Sequence, residues 1–404
     1  MSTFATMVRK SLARESDGAT ELGVEPVAPE QVEEVLADPI SADIQTEVVA
    51  DATDAEVGTA EMETAAATAD ELSNTAEILE ASTADGGEGV DEAAAQMAVA
   101  ALERCQRAYG IARKVTFAKE SFTTKTGRKE LTLQLAREAE SAAKTLWARV
   151  VETAQNLWNW IKTFIGGLVD KRKRLATRAS ALIAKADALE KAGAKPTEGS
   201  KVSFGGSGSI TKGKQTSDTG ELVGNTQALI VGGFQAVKDL AVSTTKDVST
   251  VPDSTIDINE TGVGNVKMSL VFEGGRVSFN KESAGVKAEP MELAPLSLDE
   301  VRRTATHAQT TLSMLVKREA DLAAAEKAIG GLIGKLKALA TGKETSTDTK
   351  VTHQAERTAI LSKMRAISSL SGSVASVALT VIDSSLTVAA KSLAAHKAPE
   401  KAKA

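Results

Sequence analysis

Aromatic residues make up only 3% of this 404-residue chain, with three Trp and a single Tyr among them. A core short of large rings must be built from aliphatic and small side chains. The 42% of apolar residues, set among abundant Ala, Thr and Ser, favour closely approaching helices. One cysteine, Cys105, excludes an internal disulfide framework and a cysteine-built zinc site. It fits a reducing, intracellular setting and reads as a small buried apolar residue. The three histidines, His307, His353 and His396, stand far apart with no Cys or carboxylate at ligand spacing. Each reads as a surface helix residue, and no metal or cofactor is expected. No run approaches the roughly 18 uncharged apolar residues of a spanning helix. The start, "MSTFATMVRKSLARE", lacks the apolar core of a secretion signal. Its short basic helix pattern could be an organelle address, but the acidic tract behind it argues otherwise.

What the chain does have is a division of charge. The net charge of -6 hides 23 acidic residues in positions 1–100, set against only Arg9, Lys10 and Arg14, a local balance of -20. The remaining 304 residues carry +14. An acidic arm is therefore joined to a basic body. Such an arm is either a solvated tail or a mask that keeps the body off its partners.

The expected fold is mainly α with a small inserted β region, an α+β chain built as a long-helix bundle with a disordered acidic N-terminal arm. Residues 1–90 form that arm, because Ser16 to Gly89 carry too little apolar surface to offset the entropy of ordering and read as disordered or as marginal helices. Residues 91–195 read as helical: a first helix from Asp91 to Arg113, then a long one from about Arg128 to Ala192. In the long helix Ala154, Ile161, Leu168, Leu175, Leu182 and Leu189 recur every seven positions, with Val150, Leu157, Phe164, Ala179 and Ala186 as companions. A kink or break is expected at Gly166 and Gly167. Residues 196–295 form the β-rich insertion. Its strongest signal is the hairpin "VKMSLVFEGGRVSFN", turning at Gly274 and Gly275. "KVSFGG" at 201 echoes "RVSFN" at 276, which suggests paired strands of one sheet, and "NTQALIVGGFQAVKDLAV" reads as a helix or buried strand broken at Gly232 and Gly233. Residues 296–404 are a helical hairpin that completes the bundle, opened by a capping box from Ser297 to Glu300 and closed by a helix from Val351 to His396.

Signals for catalysis are weak. "GSITKGK", Gly208 to Lys214, fits the core of a phosphate-binding loop, but Gln215 stands where the magnesium-binding Ser or Thr should be and no strand precedes it. A nucleotide enzyme using Lys214 is the third reading. "DINETG", Asp257 to Gly262, opens like a calcium loop, yet Met268 occupies the twelfth position in place of Glu. Nothing pairs a nucleophile with a base, so a non-enzyme is expected.

The stretch "LWNWIKTFIGGLVDKRKRLATRA" carries the other candidate site. Trp147, Trp158, Ile161, Phe164, Ile165 and Leu168 share a broad apolar face, with Trp160 at its edge, which is what core packing requires. Lys171, Arg172, Lys173, Arg174 and Arg178, with Lys185 beyond, form a basic turn suited to phosphate neutralisation without base reading. A membrane-active helical protein of toxin or effector type, inserting residues 146–169 and 328–340, is the second reading.

The acidic arm, "AYGIARKVTFAKESF", the Trp-bearing helix from Leu146 to Ala192 and the β insertion together resemble the internal head, or inner-body, proteins of giant tailed phages (phiKZ-like). The resemblance implies a virion structural protein inside the phage head, made in the host cytoplasm and trimmed by a head-maturation protease that cuts after Glu in short motifs. Matches are Ala13-Arg14-Glu15, Gly23-Val24-Glu25, Ala69-Asp70-Glu71, Ile78-Leu79-Glu80 and Gly86-Gly87-Glu88, with Ala118-Lys119-Glu120 and Ala188-Leu189-Glu190 inside the body. Glu80 followed by Ala81 is the favoured position, with Glu71 and Glu88 as neighbours, because a protease needs an extended segment. The implied partners are other head proteins, the protease and, non-specifically, DNA; oligomers are compatible with the wide apolar faces.

Overall fold

The computed structural model describes residues 40–84, 86–110, 122–204, 211–212, 215–216, 219–259, 263, 266–283, 291–341 and 347–397. Two compact units emerge. One is helical and comprises Val57–Trp158 with Gly330–Leu361; the other is mixed and contains Asn159–Ile329 and the chain from Ser362 onward.

In the helical unit, part of the acidic arm is a 42-residue helix, α1 (Ile40–Ala81). From Thr59 it buries a heptad stripe: Met62, Ala69 and Ala76 at one position, with Thr83 following beyond the helix end, and Ala65, Leu72 and Leu79 at the other. From Ile40 to Ala81 the marginal-helix alternative for Ser16–Gly89 is the one that forms; residues 16–39 lie outside the described residues. Ala65, Ala69 and Ala76 of the stripe add little hydropathy, yet alanine costs no side-chain entropy and has the best helix propensity. Met62, Leu72 and Leu79 supply the larger apolar contribution, roughly 1.5–3 kcal/mol each.

Helix α2 (Glu92–Tyr109) starts where the Asp91 carboxylate accepts from the Ala94 N–H at 2.8 Å, and it buries Ala95, Ala98, Leu102 and Cys105. The expected continuation to Arg113 runs into residues outside those described. Thr124 caps α3 (Lys125–Lys191) by accepting from Gly127 N–H at 3.0 Å, so the helix opens three residues ahead of the expected start. Of the kink or break expected at Gly166 and Gly167, the break is absent: the helix continues through both residues. It ends at Gly193, whose φ of 66° and N–H to the Glu190 carbonyl form a left-handed C-terminal cap.

The mixed unit takes the second half of α3 and four small antiparallel sheets. β1 (Lys195–Pro196) pairs with β9 (His396–Lys397), β2 (Val202–Phe204) with β8 (Met291–Leu293), and β3 (Thr211–Lys212) with β4 (Gln215–Thr216). β5 (Ser254–Asp257), β6 (Val266–Glu273) and β7 (Arg276–Ser283) form a three-stranded sheet. The expected hairpin is present, with Glu273 opposite Arg276 across Gly274 and Gly275 at φ 55° and 74°. The "KVSF" strand is not its neighbour. It pairs with Met291–Leu293, so similar wording here marks two different sheets.

Between the strands, α4 (Thr219–Val242) settles the ambiguity at "NTQALIVGGFQAVKDLAV" in favour of an unbroken helix. A short α5 (Thr245–Ser249) follows, opened by a capping box between Thr244 and Asp247. The C-terminal region holds three helices in place of the expected hairpin: α6 (Leu298–Lys317), α7 (Glu319–Thr341) and α8 (Thr347–Ala394). The Ser297–Glu300 capping box forms as read, and it holds the Glu300 carboxyl below its usual range through the backbone and hydroxyl donors of Ser297.

Within α8, His353–Ala394 is long and apolar enough to cross a membrane by length and composition, which the expectation of no spanning run overlooked. Interspersed serines disguise the stretch, and Asp383 is its sole charge between Arg365 and Lys391. In this fold 78% of its apolar window is buried inside the protein, so the segment serves as a core helix.

Gly233 of α4 faces α8 so closely that an added Cβ would lie 2.4 Å from Val374 Cγ2. Gly224 of the same helix has open space around it. Gly233→Ala is therefore expected to destabilise the mixed unit by about 1–3 kcal/mol through overpacking. Gly224→Ala should stabilise it by up to about 1 kcal/mol through helix propensity. Denaturant unfolding of the two variants checks the contrast; equal midpoints would contradict the close approach of α4 to α8.

Candidate functional site

The basic turn lies on α3, where a residue advances by about 100° of helix rotation, so a run of bases cannot all face solvent. Leu175, Ala176, Ala179 and Leu182 are buried, and Arg172 and Arg178 fall on the same side. Arg172 is 9% exposed and Arg178 5%. Lys173 and Arg174 are exposed and Lys171 is half-buried, as is Lys185. Arg178 donates from Nη1 to Asp383 Oδ1 of α8 at 2.9 Å, with both side chains almost wholly removed from water. The five candidate phosphate-binding residues thus separate: Lys173 and Arg174 present charge outward, whereas Arg178 is committed to an internal pair.

The acidic candidates also separate. Glu71 sits on the exposed side of α1, 3.6 Å from Arg104 of α2. Glu88, past the end of α1, meets Lys125 at 3.4 Å and Arg128 at 2.9 Å. Glu80 and Ala81 are exposed in the last turn of α1, and Ile78 is 68% exposed, but Leu79 between them is 3% exposed. The Ile78-Leu79-Glu80 motif is therefore displayed on a helix end whose middle residue anchors it. Ala13-Arg14-Glu15, Gly23-Val24-Glu25 and Ala118-Lys119-Glu120 lie outside the described residues.

One charged group was missed by sequence reasoning. Asp70, a residue of the acidic arm, accepts from Arg357 Nη2 of α8 at 3.0 Å, with side chains 11% and 9% exposed. The Arg357 guanidinium also lies over the Trp147 ring, 4.6 Å from its centroid, and its Nη1 donates to the Leu339 carbonyl at 3.2 Å. The available signal was the seven-residue spacing of Met62, Ala69 and Ala76, which places Asp70 beside a buried stripe.

The remaining candidates acquire structural roles. Asn259 of "DINETG" is buried, donating to the Val266 carbonyl and accepting from Met268 N–H, so its amide secures the turn before β6. Much of the Gly208–Lys214 loop lies outside the described residues; Thr211–Lys212 form a strand. Cys105 is buried, and burial pushes its thiol up against the opposing pull of Arg149. His396 corrects the surface-helix reading: it is 7% exposed, in β9, with Nδ1 2.9 Å from the Ser392 carbonyl. Among the described residues, no group of three or more His, Cys, Asp or Glu could hold a metal ion. The proposed membrane-inserting elements are largely internal: Trp147, Val150, Ala154, Leu157 and Ile161 are buried, as are Ile329, Leu332, Ile333 and Leu336.

Residues 41–231 match the family model of the phiKZ-like phage internal head proteins. No curated protein and no solved structure matches the chain.

Breaking the Arg178–Asp383 pair leaves a buried charge without its partner. Arg178→Ala or Asp383→Ala should each cost about 3–5 kcal/mol. The joint replacement Arg178→Met with Asp383→Leu should recover most of that loss. Chemical denaturation of the three variants decides it: single variants within about 1 kcal/mol of the parent would remove the pair from the core.

Proposed function

We propose that this chain, whose residues 41–231 match the phiKZ-like phage internal head proteins, is a structural component of the head interior and enters the head as a precursor. In this reading it is made in the host cytoplasm, co-assembles with other head proteins, and is trimmed by the head-maturation protease within the acidic arm. The observation that carries it is the charge division: cutting after Glu80 removes 19 acidic and three basic residues and moves the chain from -6 to +10. A protein that must first stay soluble and off nucleic acid, then share a volume with packed phosphates, needs that change of sign. Lys171, Lys173 and Arg174 are then the bases of the turn best placed to neutralise DNA without reading sequence.

Glu80–Ala81 remains the favoured cleavage position. Its side chains are exposed and it lies in the final turn of α1, where helices fray. Glu71 is further inside the helix, and Glu88 is held by two cations. The membrane-active reading has its apolar elements committed to packing, and the nucleotide-enzyme reading runs against a structural family.

Mass spectrometry of the protein taken from its native particle is expected to show an N-terminus near Ala81, and in any case between Ser16 and Ala93. A form starting at Ser2 with the whole arm retained would overturn the precursor reading. The particle-derived chain should also bind mixed-sequence duplex DNA at low salt and release it steeply as salt rises. Lys173→Ala with Arg174→Ala should reduce the logarithmic salt slope by about 2, one for each phosphate that is no longer neutralised. An unchanged slope would take the basic turn out of the DNA interface.

A further inference from the structure

The arm carries eight acidic residues and no basic residue between positions 57 and 90. Where this segment meets the helical unit, its carboxylates meet cations in succession: Asp70 on Arg357, Glu71 on Arg104, Glu88 on Lys125 and Arg128. None of these four cations belongs to the basic turn at 171–178. They stand along the track of the arm, and Arg128 and Trp147 alone are separated by about 28 Å of continuous helix. A succession of that length matches a repeating anion better than a single phosphate.

The deepest member has the chemistry of an anion receptor. A planar guanidinium presents parallel donors suited to carboxylate or phosphate oxygens, and stacking over an indole presets its orientation. At Arg357 the ring is Trp147, and the oxygen received is that of Asp70. The close of the arm is fitted with equal care. Gly89, at φ 80°, comes so near α3 that a Cβ would lie 2.9 Å from the Arg128 carbonyl oxygen, and Val90 N–H donates to Thr132 Oγ1 at 3.1 Å. What holds the arm between these ends is a stripe in which alanines alternate with three large apolar anchors, Met62, Leu72 and Leu79. To this apolar grip the ion pairs add an electrostatic share, and a competing polyanion can address that share.

We propose that residues 57–90 act as a built-in anion, pairing with a DNA phosphodiester-binding face of the helical unit formed by Arg104, Lys125, Arg128 and the Arg357–Trp147 pair, of which only the Arg357 end is closed off from water. This rests on the reading that the processed chain meets DNA, and it specifies where: the face the arm leaves, in addition to any binding by the basic turn. Cleavage in the arm alone does not expose the face, because the segment stays docked until DNA displaces it.

The test uses the full chain with a specific protease sequence inserted between Val90 and Asp91, so that Glu88 leaves with the arm. After cutting, the arm should co-elute with the body in low-salt gel filtration. Mixed-sequence duplex DNA should then displace it, with affinity at least ten-fold above that of the uncut chain. Arg104→Ala, Lys125→Ala and Arg128→Ala together remove side chains that remain partly in solvent, so the fold is retained and the gain should disappear. Asp70→Asn in the uncut chain should raise DNA affinity by itself. If the gain survives the triple variant and is abolished by Lys173→Ala and Arg174→Ala, DNA binding stands and this face is wrong. If the cut chain binds DNA through neither set, this proposal falls together with the DNA reading.

Discussion

One charge in the apolar centre of α8 constrains the mixed unit more than any other feature. Asp383 is 1% exposed, and a carboxylate so placed is tolerable only with a cation and donors at hand. Arg178 supplies both, and it does so from the middle of the basic turn that sequence reasoning assigned to phosphate. The pair also does something that packing alone cannot. Around it, α3 offers Leu175, Ala176, Ala179 and Leu182, and α8 offers Ala378, Leu379, Ile382 and Leu386. Small and aliphatic side chains repeat along both helices, so a shift by one helical repeat would exchange similar residues at small cost. The observed register is the one that brings Asp383 to Arg178 at 2.9 Å.

The helical unit repeats the device with a different cast. Its acidic helix is alanine-rich and shifts easily against its neighbours, and again one buried carboxylate, Asp70, meets one arginine, Arg357. Here the arginine also stacks on Trp147, one of only three tryptophans in the chain. A protein poor in aromatic residues has committed one of them to orienting a cation. Surface pairs such as Glu71–Arg104 and Lys144–Glu140 keep most of their side chains in water and contribute at most about 1 kcal/mol each.

Long periodic elements were legible in the sequence because their signal is carried by many residues at once. The seven-residue recurrence from Ala154 to Leu189 foretold α3, and Ser297 with Glu300 foretold the start of α6 through a side-chain bond that depends on nothing distant. The β6–β7 hairpin was legible for the same reason: its alternation and its Gly274–Gly275 turn are local. What escaped was decided by partners remote in sequence. Strand β2 takes its place from Met291–Leu293, about ninety residues away by numbering, and no wording within "KVSF" encodes that choice. Helix α1 was legible only as a marginal helix, because alanine is nearly neutral on a hydropathy scale, although it packs well. The site was only half readable: residue type marked Arg178 as basic, but its direction depends on where Asp383 lies, 205 residues along the chain.

These observations change the meaning of the charge division. Read as composition, the arm and the body are two solvated blocks of opposite sign. In the folded chain the acidic segment from Val57 onward is a structural member of the helical unit, and its carboxylates are distributed among particular cations. Opposite charge therefore works at two ranges. Over distances beyond about 10 Å, salt screens the arm from the body and leaves only a gradual bias. At hydrogen-bonding distance, and above all where water is excluded, a carboxylate and a guanidinium are selective about position. The long-range attraction changes in size with every acidic residue removed. The short-range attraction changes only when Asp70 parts from Arg357, so the number of charges on the chain and the docking of its acidic helix are separable variables.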